Sequence, residues 1–344
     1  EKNPKDARRW KSKLFAATTA DLRTRIGLPA KGDMQSGLKE IVAATDADKE
    51  TQGDASAILV LESGRGIEDG KLKIDFLDVG QGDAIFVTFP NGQTLLIDGG
   101  GRFDYKKRGD EAEPFEPDTR SIGEGVVSEF LWDRGYSRID HILATHADAD
   151  HIQGLTDVAK NFQIGSAVFG RTLMDDPDFV ELTQVLQRRG VTTETISRGE
   201  ILKFGDARVE VLYPFISADE NAASDNDNSV VLRIVYGTRV FLLTGDIERA
   251  AETALVTNGG TLAADLVKVA HHGSRTSSMQ QFIDATGAKY AVISVGRSSP
   301  FGHPHADVVE RWKLSGATVM TTGTSGMISV STDGKDLKIA AFHQ

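Results

Sequence analysis

One segment constrains this chain more than any other: the apolar run 139–145 leads directly into His146-Ala147-Asp148-Ala149-Asp150-His151. Four side chains able to hold a metal fall within six residues at the end of an expected buried strand. Because they are local, they can converge on a small volume without the closure of a long loop. The fold must therefore let a buried strand end at a pocket and turn the chain there. Imidazole nitrogen and carboxylate oxygen suit zinc, manganese or iron, and the excess of carboxylates leans toward manganese. A plain surface loop is the alternative, with Asp148 or Asp150 capping the next helix, but capping accounts for only one of the four residues.

The rest of the composition narrows the chemistry. Cysteine is absent, which removes disulfides and thiolate metal sites and leaves His and carboxylate as the ligands. Thirty-five Gly against 9 Pro fits many tight turns between short strands. No apolar run approaches the ~18 residues that cross a bilayer, so no membrane span is expected. The chain reads as soluble, either cytoplasmic or secreted after processing, since a first residue of Glu1 is compatible with a removed signal segment. A formal charge of −11 argues against generic, charge-driven association with nucleic acid. It leaves a nuclease open, because bound cations offset clustered carboxylates.

Residues 1–70 differ from the rest of the chain. A basic start (Lys2, Lys5, Arg8, Arg9, Lys11, Lys13, Arg23, Arg25) carries Trp10, Leu14 and Phe15 at helical spacing, so this part reads as a helical extension and linker. From residue 71 short β-like runs begin, at 72–79, 84–89 and 94–97, with Asn91-Gly92 as a hairpin signal. A polar loop is expected over 102–120 and a helix over 122–135, ending at its glycine. Further strands are expected at 208–213, 230–236, 239–244, 266–270 and 290–295. Meandering strands and then alternating strands and helices, twice over, predict an α/β (α+β) domain over 71–344: a four-layer αββα sandwich of two sheets with helices outside.

Other residues sit where such a centre would need them. Asp98 ends a strand and precedes three glycines, so its carboxylate can hydrogen-bond the far nitrogen of a ligand histidine, or else form an Asx-turn. Asp246 follows a strand and Gly245, and can bridge two metals, which in such sites lie about 3.5–4 Å apart, or sit in a simple turn. Of His271 and His272, one can serve as a ligand while the other faces substrate or packs. Ser274, beside Gly273 at an expected helix start, offers an N–H and a hydroxyl to an anionic oxygen. His303, between Gly302 and Pro304, can present an imidazole to a phosphate or leaving group, or be an ordinary loop histidine.

The set resembles the metallo-β-lactamase superfamily, whose His-x-His-x-Asp-His motif appears here with its second His replaced by Asp, as in the hydrolase domain of ComEC-type competence proteins. Residues 76–84 (FLDVGQGDA), 96–100 (LIDGG), 228–232 (NSVVL), 243–246 (LTGD), 271–274 (HHGS) and 302–304 (GHP) come in the same order. The resemblance covers about residues 71–340. It implies a hydrolase using a metal-bound hydroxide, with one or two Zn or Mn ions held by His146, Asp148, Asp150, His151, Asp246 and His271. It further implies Asp150, His272 and His303 in catalysis, and Asn228 and Ser274 on the substrate. DNA is the implied substrate, with another phosphodiester (a phosphocholine ester or cyclic nucleotide) or a catalytically silent binding or signalling role as alternatives. The chain departs from the wider family in having no His between His151 and His271. Polar residues 225–228 stand there instead, which weakens the first metal position relative to the second.

Overall fold

The computed structural model describes residues 70–102, 121–170, 176–215, 226–258 and 260–342. The expected helical extension, most of the loop over 102–120, Asp225 and His343 lie outside the described residues. Of the described residues, those before 129 and those after 138 form one compact unit, and 129–138 belong to another. Of the latter, the helix α1 (Glu129–Asp133) is described, with Leu131 and Trp132 buried.

The first half of the main unit is a meander that turns parallel. Strands β1 (Leu72–Phe76), β2 (Ile85–Thr88) and β3 (Thr94–Ile97) pair antiparallel, and β4 (Arg138–Ala144) then lies parallel to β3. Asn91-Gly92 makes the β2–β3 turn: Gly92 takes a φ of 82°, and its N–H donates to Phe89 O at 2.8 Å. Helix α2 (Ala149–Asn161) succeeds β4 and buries Ile152, Leu155, Val158 and Ala159. Strand β5 (Gln163–Phe169), helix α3 (Pro177–Arg188) and edge strand β6 (Thr192–Thr195) come next. The expected helix over 122–135 is divided: residues Gly123–Ser128 wind as a π-helix before α1.

The second half repeats the scheme. Antiparallel β7 (Ile201–Phe204), β8 (Ala207–Tyr213), β9 (Val231–Tyr236) and β10 (Arg239–Leu243) come first. Helix α4 (Arg249–Thr257) then leads to β11 (Leu266–Lys268), α5 (Gln280–Thr286), β12 (Tyr290–Ile293), α6 (Ala306–Leu314) and β13 (Thr318–Thr321), whose strands run parallel to β10. A short helical turn, α7 (Thr322–Ser325), returns the chain to the first sheet as β14 (Ile328–Thr332) and β15 (Leu337–Ala341).

Two sheets result, ordered β15-β14-β1-β2-β3-β4-β5-β6 and β13-β12-β11-β10-β9-β8-β7. Their inner faces share one apolar core, with Phe76, Val87, Phe89 and Leu95 meeting Val209, Leu232, Ile234 and Phe241. A second core lies between the outer face of the second sheet and α4, α5 and α6, around Leu255, Phe282, Ile283, Val308 and Trp312. This is the expected helix–sheet–sheet–helix layering. The switch from antiparallel to parallel in both sheets brings the carboxyl ends of β3, β4, β10 and β11 to one rim, where open α/β sheets place their ligands. Among the described residues, no helix is long and apolar enough to cross a membrane.

Candidate metal centre

The local segment builds one wall. β4 ends at Ala144, and His146 lies just beyond it, buried, with Nδ1 2.9 Å from Thr145 Oγ1 and Nε2 without a hydrogen-bond partner. Asp148 occupies the N-cap position of α2, yet its side chain makes no capping bond and approaches His146 Nε2 at 3.7 Å. Asp150 and His151 lie in the first turn of α2, both buried. Burial disfavours charge on Asp150, but the adjacent His151 and His272 outweigh it and hold its carboxyl below the usual range.

Asp98 locks this wall. With a φ of 57°, it turns its carboxylate back on β4, accepting the Thr145 N–H at 2.8 Å, the Thr145 hydroxyl at 2.7 Å and His151 Nδ1 at 2.8 Å. That last bond places the histidine proton on Nδ1 and leaves Nε2 facing the centre. The turn closes because Gly99 and Gly154 let the backbones touch; a Cβ on either would overlap the other segment.

The second sheet builds the opposite wall. β10 delivers Asp246, whose backbone N–H is anchored on Ser229 Oγ at 3.1 Å. Its Oδ2 lies 2.9 Å from His272 Nε2 and 3.3 Å from His151 Nε2. His271 and His272 are both left-handed, at φ 50° and 53°, a conformation costing side-chain-bearing residues about 1–3 kcal/mol each. The resulting kink sends the two rings apart. His272 is buried, its Nδ1–H donating to Ser294 O at 2.8 Å, and its Nε2 stands 3.4 Å from both Asp150 Oδ2 and His151 Nε2. His271 faces away, with Nδ1 3.3 Å from Glu248 Oε1 and 3.2 Å from Thr276 Oγ1. Of the two histidines between which the sequence leaves the choice open, the geometry brings His272, rather than His271, into the cluster.

Four donor atoms, His151 Nε2, His272 Nε2, Asp246 Oδ2 and Asp150 Oδ2, therefore converge, with separations of 2.9 to 3.4 Å for these contacts. Tetrahedral ligands at ~2.0–2.1 Å from an ion lie about 3.3 Å apart, so the set fits a divalent metal. His146, His151 and Asp246 form a second, overlapping group whose ligand atoms all lie within 4.8 Å. His146, whose Nε2 has no hydrogen-bond partner, belongs to that group. Burial alone would lower His272, but Asp246, Asp150 and Asp83 outweigh it and raise its pKa to about 10. The same opposition raises His151 and holds Asp246 well below the carboxylate range.

Two residues escaped the sequence reading. Lys268, at 0% exposure, places Nζ 2.8 Å from Gly245 O and 3.0 Å from Asp246 Oδ1, and also pairs with Asp83 Oδ2. Burial disfavours the ammonium, but Asp83 and Asp246 more than compensate and raise its pKa. Asp83, buried, keeps Oδ1 without a hydrogen-bond partner, 3.8 Å from His272 Nδ1. The available signal was a lysine inside the apolar run Leu266-Val267-Lys268-Val269-Ala270: a charge in a buried strand needs a partner.

The remaining candidates lie farther out. His303 is half-buried, its ring 5.7 Å from that of His271 and 6.5 Å from that of His272, with Nδ1 buried and unpartnered. Burial and the three neighbouring histidines lower its pKa to about 4. Ser274 is not at a helix start: it closes the 3-10 turn Ala270–Gly273, its N–H donates to His271 O at 2.8 Å, and its hydroxyl pairs with Thr276. Its expected anion-binding N–H is therefore already used. Asn228 ends the 3-10 turn Asn226–Asn228, next to Ser229, and Asp227 caps α4 through the N–H groups of Glu248 and Ala251.

Comparison with known proteins gives the family of the chain. A family model described as the metallo-beta-lactamase superfamily matches residues 77–297. ComE operon protein 3 of Bacillus subtilis is 32% identical over 259 residues, 74% of this chain and 32% of its own length. Recombination protein 2 of Haemophilus influenzae is 27% identical over 260 residues, 75% of this chain and 29% of its own. The chain thus spans about a third of the length of these curated relatives. Among solved structures, the metallo-beta-lactamase fold protein YhfI of Bacillus subtilis aligns at a TM-score of 0.46 and 12% identity, over 75% of this chain and 99% of that one.

Proposed function

This chain belongs to the metallo-beta-lactamase superfamily, and from that premise we propose that it is a metal-dependent phosphodiesterase acting on DNA. The observation that carries the reading is the pair of inward-facing imidazole nitrogens, His151 Nε2 and His272 Nε2, 3.4 Å apart with Asp246 and Asp150 beside them. Each ring has its Nδ1 committed on the far side, so both lone pairs point at one volume. His151, His272, Asp246 and Asp150 would hold a Zn or Mn ion, and His146 with Asp148 would form the weaker position for a second.

An ion so placed supplies Lewis acidity toward a phosphoryl oxygen and a water acidic enough to react near neutral pH. The protein's own groups do the rest. Asp150, ionised and in the cluster, can accept a proton. His303, neutral at pH 7 because its pKa is lowered to about 4, can hydrogen-bond a phosphate oxygen without adding charge. Asp98 keeps His151 oriented while this happens.

DNA as substrate is supported by the name of one relative, a recombination protein. A net charge of −11 favours a small diester as the second reading. The deciding experiment dialyses the protein against chelator, restores Mn²⁺ or Zn²⁺, and compares plasmid, oligonucleotide and bis-p-nitrophenyl phosphate. Metal-dependent cleavage of DNA is expected. Cleavage of the small diester alone would select the second reading, and no hydrolysis at all with metal bound would select a binding role.

A further inference from the structure

The ammonium of Lys268 is fully buried and, being protonated, has no lone pair to offer a metal. Lys268 closes β11 on the second sheet, and its three ammonium donors meet three acceptors: Gly245 O, Asp246 Oδ1 and Asp83 Oδ2. A buried charge is retained only with such compensation, because an unpaired one costs several kcal/mol. The partners are not equivalent. Asp83 comes from the loop before β2 on the first sheet, so the ammonium links the two walls of the site. Asp246 is divided by the contact: Oδ1 goes to Lys268 while Oδ2 alone faces His151 and His272.

We propose that Lys268, anchored by Asp83, is a positioning residue that fixes the rotation of the Asp246 carboxylate so that it offers one oxygen to the metal. This rests on the reading of the cluster as a metal centre. With Oδ1 engaged, Asp246 has only Oδ2 left for an ion, so Asp150, His151, Asp246 and His272 would each offer one donor atom. Removing the ammonium frees Oδ1 and leaves Asp83 and Asp246 facing each other without a cation. Both changes disturb the ligand set without removing a ligand.

The test measures Mn²⁺ affinity by titration calorimetry, and the visible spectrum of the Co²⁺-loaded protein, for wild type, Lys268→Met and Asp83→Asn, with circular dichroism as the check on folding. Lys268→Met is expected to weaken Mn²⁺ binding by about 10–100-fold, the range for groups that orient metal ligands. Its Co²⁺ absorption should lose intensity as the coordination number rises. Asp83→Asn, which loosens the ammonium without deleting it, should move both readouts in the same direction by less. A folded Lys268→Met protein with wild-type affinity and spectrum overturns the proposal. If that variant does not fold, Asp83→Asn decides, and wild-type values in it overturn the proposal equally. Absence of Mn²⁺ binding by the wild type would instead remove the metal-centre reading itself.

Discussion

His151 Nε2 and His272 Nε2 face each other across 3.4 Å, while Asp98 and Ser294 O hold the opposite nitrogen of each ring at 2.8 Å. Two lone pairs at that distance call for a cation between them, either a proton or a metal. The flanking Asp246 and Asp150 carboxylates raise the demand further. The centre is therefore assembled from two sheets that each contribute half of an electrostatically incomplete site.

The neighbouring histidines should separate cleanly. His272→Ala removes a converging donor and should lower metal-dependent hydrolysis at least about 100-fold, since metal stabilisation of the transition state is worth several kcal/mol. His271→Ala, whose ring faces Glu248 and Thr276, should retain the wild-type metal content. Metal analysis by mass spectrometry with a diester assay reads both, and loss of metal in His271→Ala alone would reverse the assignment.

Stability and metal affinity should respond to pH with opposite signs. In metal-free protein His272 is raised from 6.5 to about 10. Its contribution to stability is therefore complete below pH 6.5 and lost as pH rises through about 10. Over the same window Mn²⁺ must displace a proton, so metal affinity should increase with pH. Urea midpoints of chelator-treated protein should fall across the window, less steeply in His272→Gln. An identical slope in wild type and variant would contradict the assignment.

Asp98→Asn keeps the volume but replaces the carboxylate oxygen facing His151 Nδ1 with an amide group. Metal affinity should weaken by about 10–100-fold. Because Asp98 also accepts from Thr145, the melting temperature should fall as well. A change in melting temperature with unaltered Mn²⁺ affinity would limit Asp98 to a structural role.

Gly154→Ala tests the helix–turn contact that seats the ligand segment. A Cβ there overlaps Gly99 O, and overpacking of this kind costs about 1–3 kcal/mol. Thermal unfolding should show the loss, together with weaker metal binding, because α2 carries Asp150 and His151. An unchanged melting temperature would mean the contact relaxes freely.

What the sequence determined by itself was whatever depended on near neighbours. Residues 146–151 are legible as a candidate ligand segment because the donors are adjacent along the chain. The β2–β3 turn is legible because Asn-Gly favours the left-handed backbone the hairpin needs. The layered fold emerged from the order of strands and helices. Edge strand β6 is Thr192-Thr193-Glu194-Thr195, exposed throughout, and without an apolar alternation it left no signal. Tertiary structure alone decided between His271 and His272, because adjacent side chains on a doubly left-handed kink diverge by an amount that no periodicity encodes. It alone joined Asp83 to Lys268 across the two sheets, since a buried ion pair between distant segments exists only once packing has removed both charges from water.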